Sequence, residues 1–218
     1  MRTVALVGPT AAGKSTICKA LAQVAAVAII TCDDFYLPRS LCPTFALEAL
    51  PWPGRAVPSA FAERGSADFN TPGAVDWDRL CAAIGDTQQR ADAQSTLLVE
   101  GHLLLGAHAG AAAARALCGH AALLDADGAD AAAMDALWRR KWTRTHWGRP
   151  SYRERGVTAE EYAVYWEHYV WPAWVEHGSR LADAHFPSQG YLRIDALQPV
   201  ERTIDALLAT GWFPPRQV

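Results

Sequence analysis

The 218-residue chain lacks an excess of positive charge, a long apolar run and any pairing pattern among its cysteines. Its 20 basic and 23 acidic residues leave a formal net charge of −3. A general nucleic-acid binder would carry a basic excess or patch, and a lipid anchor of the polybasic kind needs a cluster of Lys and Arg. Neither partner, nucleic acid or membrane, is expected. No apolar run reaches the ~18 residues that span a bilayer. The N-terminus, MRTVALVGPT, has one Arg and runs straight into a motif, so it does not read as a signal peptide. The cysteines (Cys18, Cys32, Cys42, Cys81 and Cys118) are odd in number and scattered, with no CxxC. They read as free thiols in a reducing cytoplasm, not as a disulfide framework or a zinc site. The histidines show no HExxH or other ligand spacing. Asp125-Ala126-Asp127-Gly128 fits the DxxG of GTPases, but no NKxD accompanies it. Internal repeats and long polar linkers are also missing.

What is present is ordinary for a soluble globular protein: half the residues are hydrophobic and a fifth are charged. Such a chain can bury a sizeable core without disulfides or a structural metal. Short apolar runs at Thr3–Val7, Val27–Thr31, Thr96–Val99, Ala121–Leu124 and Tyr191–Ile194 predict strands. Between them, helical spacing predicts helices over Lys14–Val24, Asp76–Arg90, Ala109–Leu117, Ala129–Arg144, Thr158–Glu176 and Val200–Ala209. Thr158 and Glu161 have the spacing of a capping box. The Pro-rich stretch Pro38–Pro72 has no sustained period and reads as irregular. Alternating strands and helices, with strands that do not alternate in polarity, predict an α/β fold: a parallel sheet with helices on both faces. One domain, 1–218, is expected.

Gly8-Pro9-Thr10-Ala11-Ala12-Gly13-Lys14-Ser15 fits GxxxxGK[ST], and Thr16 follows it. A predicted strand precedes the motif and an amphipathic helix follows it, the context of a phosphate-binding loop. The glycines let backbone amides turn inward around phosphate oxygens. The helix N-terminus adds partial positive charge. Lys14 would reach terminal phosphates, and the Ser15 hydroxyl would ligate Mg²⁺. A chance glycine-rich turn is the bland alternative, and the strand–loop–helix context weighs against it.

Asp33 and Asp34 follow the second predicted strand, beyond the carboxyl end where open parallel sheets bind ligands. One carboxylate there can orient and deprotonate an acceptor hydroxyl. Neighbouring residues in an extended segment point opposite ways, so one Asp is expected to face the cleft. Residue physics alone leaves open which one, and a solvated turn is the alternative. Leu97-Leu98-Val99-Glu100-Gly101 is an apolar strand ending in an acid, a position from which a carboxylate holds Mg²⁺ directly or through water. Trp138-Arg139-Arg140-Lys141-Trp142-Thr143-Arg144 ends a predicted helix. Basic residues suit helix C-termini, and Trp–Arg interleaving also occurs at RNA-binding surfaces. Beside a phosphate loop, the segment reads as a lid over 138–160 whose arginines offset charge on the transferring group.

Together these motifs resemble the uridine kinase and phosphoribulokinase family, and within it the nicotinamide riboside kinases. The resemblance runs from Val4 to about Val175 and rests on the phosphate loop, the Asp33-Asp34-Phe35-Tyr36 run, LLVEG, WRRKWTR and Tyr169-Val170-Trp171-Pro172. It implies the phosphate-loop fold of nucleoside kinases and an ATP- and Mg²⁺-dependent kinase. The implied acceptor is a nucleoside-like small molecule phosphorylated on its 5′-hydroxyl, with nicotinamide riboside ahead of uridine or cytidine. It further implies that Asp33 is the catalytic base and that Glu100 lies near metal and substrate hydroxyls. Arg140 and Arg144 would be lid arginines near ATP. Phe69-Asn70 would border the acceptor, with Asn70 where uridine kinases have an Asp that binds ribose hydroxyls. Phe69 and His146, or Trp147, would flank a base. The chain departs from the family by an insertion around 50–67 and extra residues at 148–160, both near the implied acceptor site. A kinase for a sugar or glycerate-like acceptor, and a nucleotide-gated binding protein without turnover, are the rival readings.

Overall fold

Five parallel strands form one sheet in the order β2-β3-β1-β4-β5: β1 (Arg2–Val7), β2 (Val27–Thr31), β3 (Thr96–Gly101), β4 (His120–Asp125) and β5 (Tyr191–Asp195). The computed structural model describes residues 1–54, 56–63, 65–90, 94–126, 130–145, 150–178 and 190–216. β3 is buried along its whole length, and β1 everywhere except Arg2, because both sheet faces are covered. That is why these strands read as unbroken apolar runs. The order is not the sequence order: β3 lies between β2 and β1. The register pairs Val7 with Gly101 and Thr31 with Glu100, so the carboxyl ends of the three strands finish level.

The helices are α1 (Lys14–Val24), α2 (Ser59–Ala62), α3 (Trp77–Arg90), α4 (Ala109–Ala116), α5 (Ala131–Thr143), α6 (Ala159–Tyr165), α7 (Trp171–His177) and α8 (Val200–Ala209). Ile17 and Leu21 of α1 and Leu80 and Ile84 of α3 are buried in one core with Leu6, Leu97 and Leu98 of the sheet. Among the described residues no helix is long and apolar enough to cross a membrane.

Two expectations need correction. The helix foreseen over Thr158–Glu176 is interrupted: α6 begins at the Thr158–Glu161 capping box, then Trp166–Val170 widen into a π turn before α7. Pro172 has no N–H to offer the carbonyl four residues back. The N–H of Trp171 donates to the carbonyl of Trp166, the five-residue spacing of a π turn. The strand foreseen to stop at Val99 also runs on through Glu100 and Gly101, which pair with β1.

The Pro-rich stretch is irregular but not loose. Pro38 and Pro58 each precede a short helical turn, and Pro72 starts another. The Phe45 N–H donates to Ser66 O at 2.7 Å, and the Asp68 N–H to Pro43 O at 2.7 Å. Phe61, fully buried, packs on Trp52 from within the stretch and on Tyr152 and Tyr165 from outside it.

Gly101 marks where β3 meets the turn after β2. A Cβ built on it would lie 2.6 Å from Cys32 Sγ and 2.8 Å from Cys32 Cβ. Neither Cys32, at 4% exposure, nor the buried strand has room to move away. Gly101→Ala should therefore lower the free energy of unfolding by about 1–3 kcal/mol, the usual cost of overpacking. Urea unfolding checks this, as a lower midpoint at unchanged slope.

Candidate active site

The level ends of β1, β2 and β3 carry three short segments that meet. The first is the loop from Gly8 to Gly13. Gly13 has φ +92°, a left-handed conformation that costs glycine little, and Ala11 has φ +69°. These angles turn the chain so that α1 starts at Lys14 with no side chain capping its first N–H groups and no acid in its first turn. Uncapped donors at a helix N-terminus favour an anion. Thr10, Ala11, Gly13, Lys14 and Ser15 line one end of a cavity of about 720 Å³. Ala12 is buried in the loop, where its N–H donates to Pro9 O at 3.2 Å. Lys14 Nζ donates to the carbonyls of Gly8 and Pro9, both at 3.0 Å. Burial pushes the Lys14 pKa down, and the charges of Glu100 and Asp33 oppose that shift.

The second segment is the end of β3. Glu100 is 4% exposed and accepts a hydrogen bond from Ser15 Oγ at 2.9 Å, with Thr31 Oγ1 at 3.4 Å. These are hard oxygen donors of the kind Mg²⁺ takes alongside phosphate and water. Among the described residues no group of three or more His, Cys, Asp or Glu could hold a metal. A cation at Ser15 and Glu100 would have room for phosphate and water among its ligands.

The third segment is the single 3₁₀ turn Cys32–Phe35. It separates the two aspartates. Asp33 lines the main cavity, together with Lys14 and Glu100, and the smaller depression beside it. Asp34 is exposed and lines only that depression, with Thr16, Lys19 and Thr145.

The rest of the cavity is lined mainly by the Pro-rich stretch on one side and by residues 150–170 on the other. Phe69 and Asn70 line it from the first side. Tyr36 meets Phe69 edge-on, with ring centroids 5.1 Å apart, and its hydroxyl donates to Phe69 O at 3.1 Å. Tyr162, Tyr165 and Trp166 line it from the second side. Side-chain contacts tie the walls together. The Tyr169 hydroxyl donates to Asp68 Oδ1 at 2.6 Å. Phe45 stacks on Tyr169 with centroids 3.9 Å apart. Arg155 Nη2 donates to Ala60 O and to Glu63 Oε2, each at 3.0 Å.

The basic end of α5 divides. Lys141 and Arg144 line the cavity, and Arg144 also borders the smaller depression. Arg140 turns the other way, its guanidinium donating to Ala196 O at 3.3 Å and, more weakly, to Leu197 O at 3.5 Å, in the turn after β5. His146 and Trp147 lie outside the described residues, as do Asp127 and Gly128 of the DxxG run and the start, at Ala129, of the helix foreseen there. Lys141, Tyr36 and the aromatics of α6 and the π turn were missed from sequence. Tyr162, Tyr165 and Trp166 are spaced i, i+3, i+4, which places them on one helix face, so that signal was available.

His102 was missed as well. It lines the cavity along with Lys14 and Asp33, and its Nε2 is buried without a hydrogen-bond partner among the described residues. Burial, and then the charge of Lys14, push its pKa down to about 4. In the unfolded chain an imidazole titrates near ~6.5. Between these values the unfolded chain binds the extra proton, so His102 makes the fold lose stability as pH falls from about 6.5 to about 4. His102→Gln should flatten that part of the stability profile, measured as urea midpoints against pH beside the parent chain.

No family model matches the sequence, and no curated protein matches it. Solved structures do. A protein assigned as a fructose transport system kinase from Silicibacter sp. superposes with a TM-score of 0.51 at 20% identity, over 88% of this chain and 88% of that one. An unliganded sugar kinase from Janibacter sp. gives 0.51 at 18% identity, over 96% and 93%. A gluconokinase from Sinorhizobium meliloti gives 0.50 at 15% identity, over 95% and 90%. The chain shares with them the α/β fold of the phosphate-loop kinases, a parallel five-stranded sheet flanked by helices.

Proposed function

We propose that this protein is an ATP- and Mg²⁺-dependent kinase that phosphorylates a hydroxyl of a small polyhydroxylated acceptor, a sugar or sugar acid. The observation that carries the reading is the meeting of Lys14, the Ser15–Glu100 pair and Asp33 on one cavity. The loop amides and Lys14 would hold the terminal phosphates. Mg²⁺, when bound at Ser15 and Glu100, supplies neutralisation of charge on the phosphate oxygens. Asp33 takes the proton of the attacking hydroxyl, and Lys141 and Arg144 offset charge that develops on the transferring group.

For the acceptor, two lines of support agree. Asp33 and Asn70, both on the cavity, offer hydrogen bonds to the hydroxyls of a sugar. The similar solved structures carry the names of sugar-type kinases. A second reading keeps the 5′-hydroxyl of a ribonucleoside as acceptor. The Tyr36–Phe69 pair beside Asn70 favours it, because a planar base could lie there.

A screen of ATP consumption over sugars, sugar acids and nucleosides, nicotinamide riboside included, separates these readings. Turnover with a sugar or sugar acid and none with nucleosides is the expected result. ATP binding without turnover on any acceptor would mean a nucleotide-gated binding protein. On the accepted substrate, Lys14→Ala should abolish transfer and weaken ATP binding sharply. Asp33→Asn should lower kcat by ~10²-fold or more with ATP affinity nearly kept. Asp34→Asn should leave kcat within a few-fold of the parent, and the reverse pattern would move the base to Asp34.

A further inference from the structure

The turn that aims Asp33 has little intrinsic hold on its own geometry. It is one 3₁₀ turn of four residues, and Thr31 before it makes no side-chain cap bond. Hydrogen bonds in such turns are poorly aligned. Its first residue is fixed by packing, since Cys32 is buried against Gly101. Its last residues are fixed from α3. The Asp76 N–H donates to Phe35 O at 2.8 Å. Arg79, one helical turn on, sends Nη2 to the carbonyl of Asp34 at 3.1 Å and lays its guanidinium over the Phe35 ring, 4.9 Å from the centroid. The Asp76 carboxylate in turn accepts from the Arg79 N–H at 3.1 Å, which closes the start of α3. Arg79 itself lines neither the main cavity nor the depression beside it.

We propose that Arg79 is a positioning residue for Asp33: by holding the Asp34 carbonyl and the Phe35 ring, it fixes the turn that points the Asp33 carboxylate at the acceptor hydroxyl. The assignment rests on the reading of Asp33 as the base. Two contacts made at once by one planar group explain why arginine stands there. A guanidinium can stack on a ring and donate in its own plane, whereas a lysine ammonium is a point charge without that geometry. The role is geometric, so keeping the positive charge does not keep the function. Displacing a reacting group by about an ångström can cost ~10²-fold in rate.

The test uses the full chain and the acceptor found by the screen. Steady-state and single-turnover rates are compared for the parent, Arg79→Ala, Arg79→Lys, Asp33→Asn and the double variant Arg79→Ala/Asp33→Asn, with melting curves for each. Arg79→Ala is expected to lower kcat by ~10- to 100-fold with KM for ATP within about twofold. Arg79→Lys should lose a similar factor despite its charge. In the Asp33→Asn background the Arg79→Ala effect should vanish, because there is no longer a base to aim. A general structural role would instead add its loss in both backgrounds and raise KM for ATP. Parent-like kcat in Arg79→Ala, full activity in Arg79→Lys, or an undiminished loss in the double variant overturns the proposal. Should Arg79→Ala not fold, Phe35→Leu removes the ring under the guanidinium and is judged by the same criteria. Asp33→Asn at the parent rate would overturn the base assignment and this role with it. An inactive Asp33→Asn beside a fully active Arg79→Ala overturns the positioning role alone.

Discussion

The constraint on which the rest depends is the parallel register of β2, β3 and β1. Pairing Thr31 with Glu100 and Gly101 with Val7 brings three strand ends to one line. Each strand then delivers a different group to the same space: Lys14 and Ser15 after β1, Asp33 after β2, and Glu100 at the end of β3. A shift of one residue in β3 would turn Glu100 to the opposite face of the sheet, because strand side chains alternate. It would also bring a side chain to the place where Gly101 lets Cys32 approach. The register is held by burial, since neither face of β1 or β3 is free to meet water.

That arrangement puts opposite charges where water is scarce. Glu100 is buried and Lys14 partly so, and charges taken out of water are costly. The cost is met locally. Two backbone carbonyls accept from Lys14, a hydroxyl donates to Glu100, and the charges of Glu100 and Asp33 favour the ammonium. The same side chains are the ones that would handle phosphate and a cation, so the balance that keeps the site folded is also the balance a ligand would draw on. Arg79 belongs to a different layer. It works on backbone and ring outside the cavity, and so sets direction where the Lys14–Glu100 pair sets charge.

The second half of the cavity is made by tertiary contacts of high sequence separation. Tyr169 reaches Asp68, and Arg155 reaches Ala60 and Glu63. Phe61 lies among Trp52, Tyr152 and Tyr165. Aromatic pairs of this kind contribute ~0.5–1.5 kcal/mol each beyond their buried area. The Pro-rich stretch is therefore a wall of the cavity, fastened to the helical segment opposite it. The π turn at Trp166–Val170 falls within that second wall, with Trp166 and Val170 both on the cavity. Removing the turn would rotate the aromatics that follow it relative to those before.

The strands, the glycine-rich loop Gly8–Ser15, the pair of aspartates and Glu100 were legible in the amino-acid sequence, because each is a local signal. A strand buried on both faces reads as an apolar run, and a loop that wraps phosphate needs glycines and a lysine at fixed spacing. The capping box at Thr158 is local in the same way. The placement of β3 between β2 and β1 was not legible, since nothing within a strand names its neighbours. Nor could sequence divide the work of α5, where Lys141 and Arg144 face the cavity and Arg140 does not. That outcome depends on the turn after β5, 50 residues and more along the chain, which offers Arg140 its carbonyls. Residue physics left Asp33 and Asp34 open and the resemblance pointed to Asp33; the 3₁₀ turn gives the two different surroundings. The hold of Arg79 on that turn, the burial of His102 and the aromatic wall from two distant segments all rest on contacts between residues far apart in the chain. Local composition records what a residue can do, and the tertiary packing decided which groups it would meet.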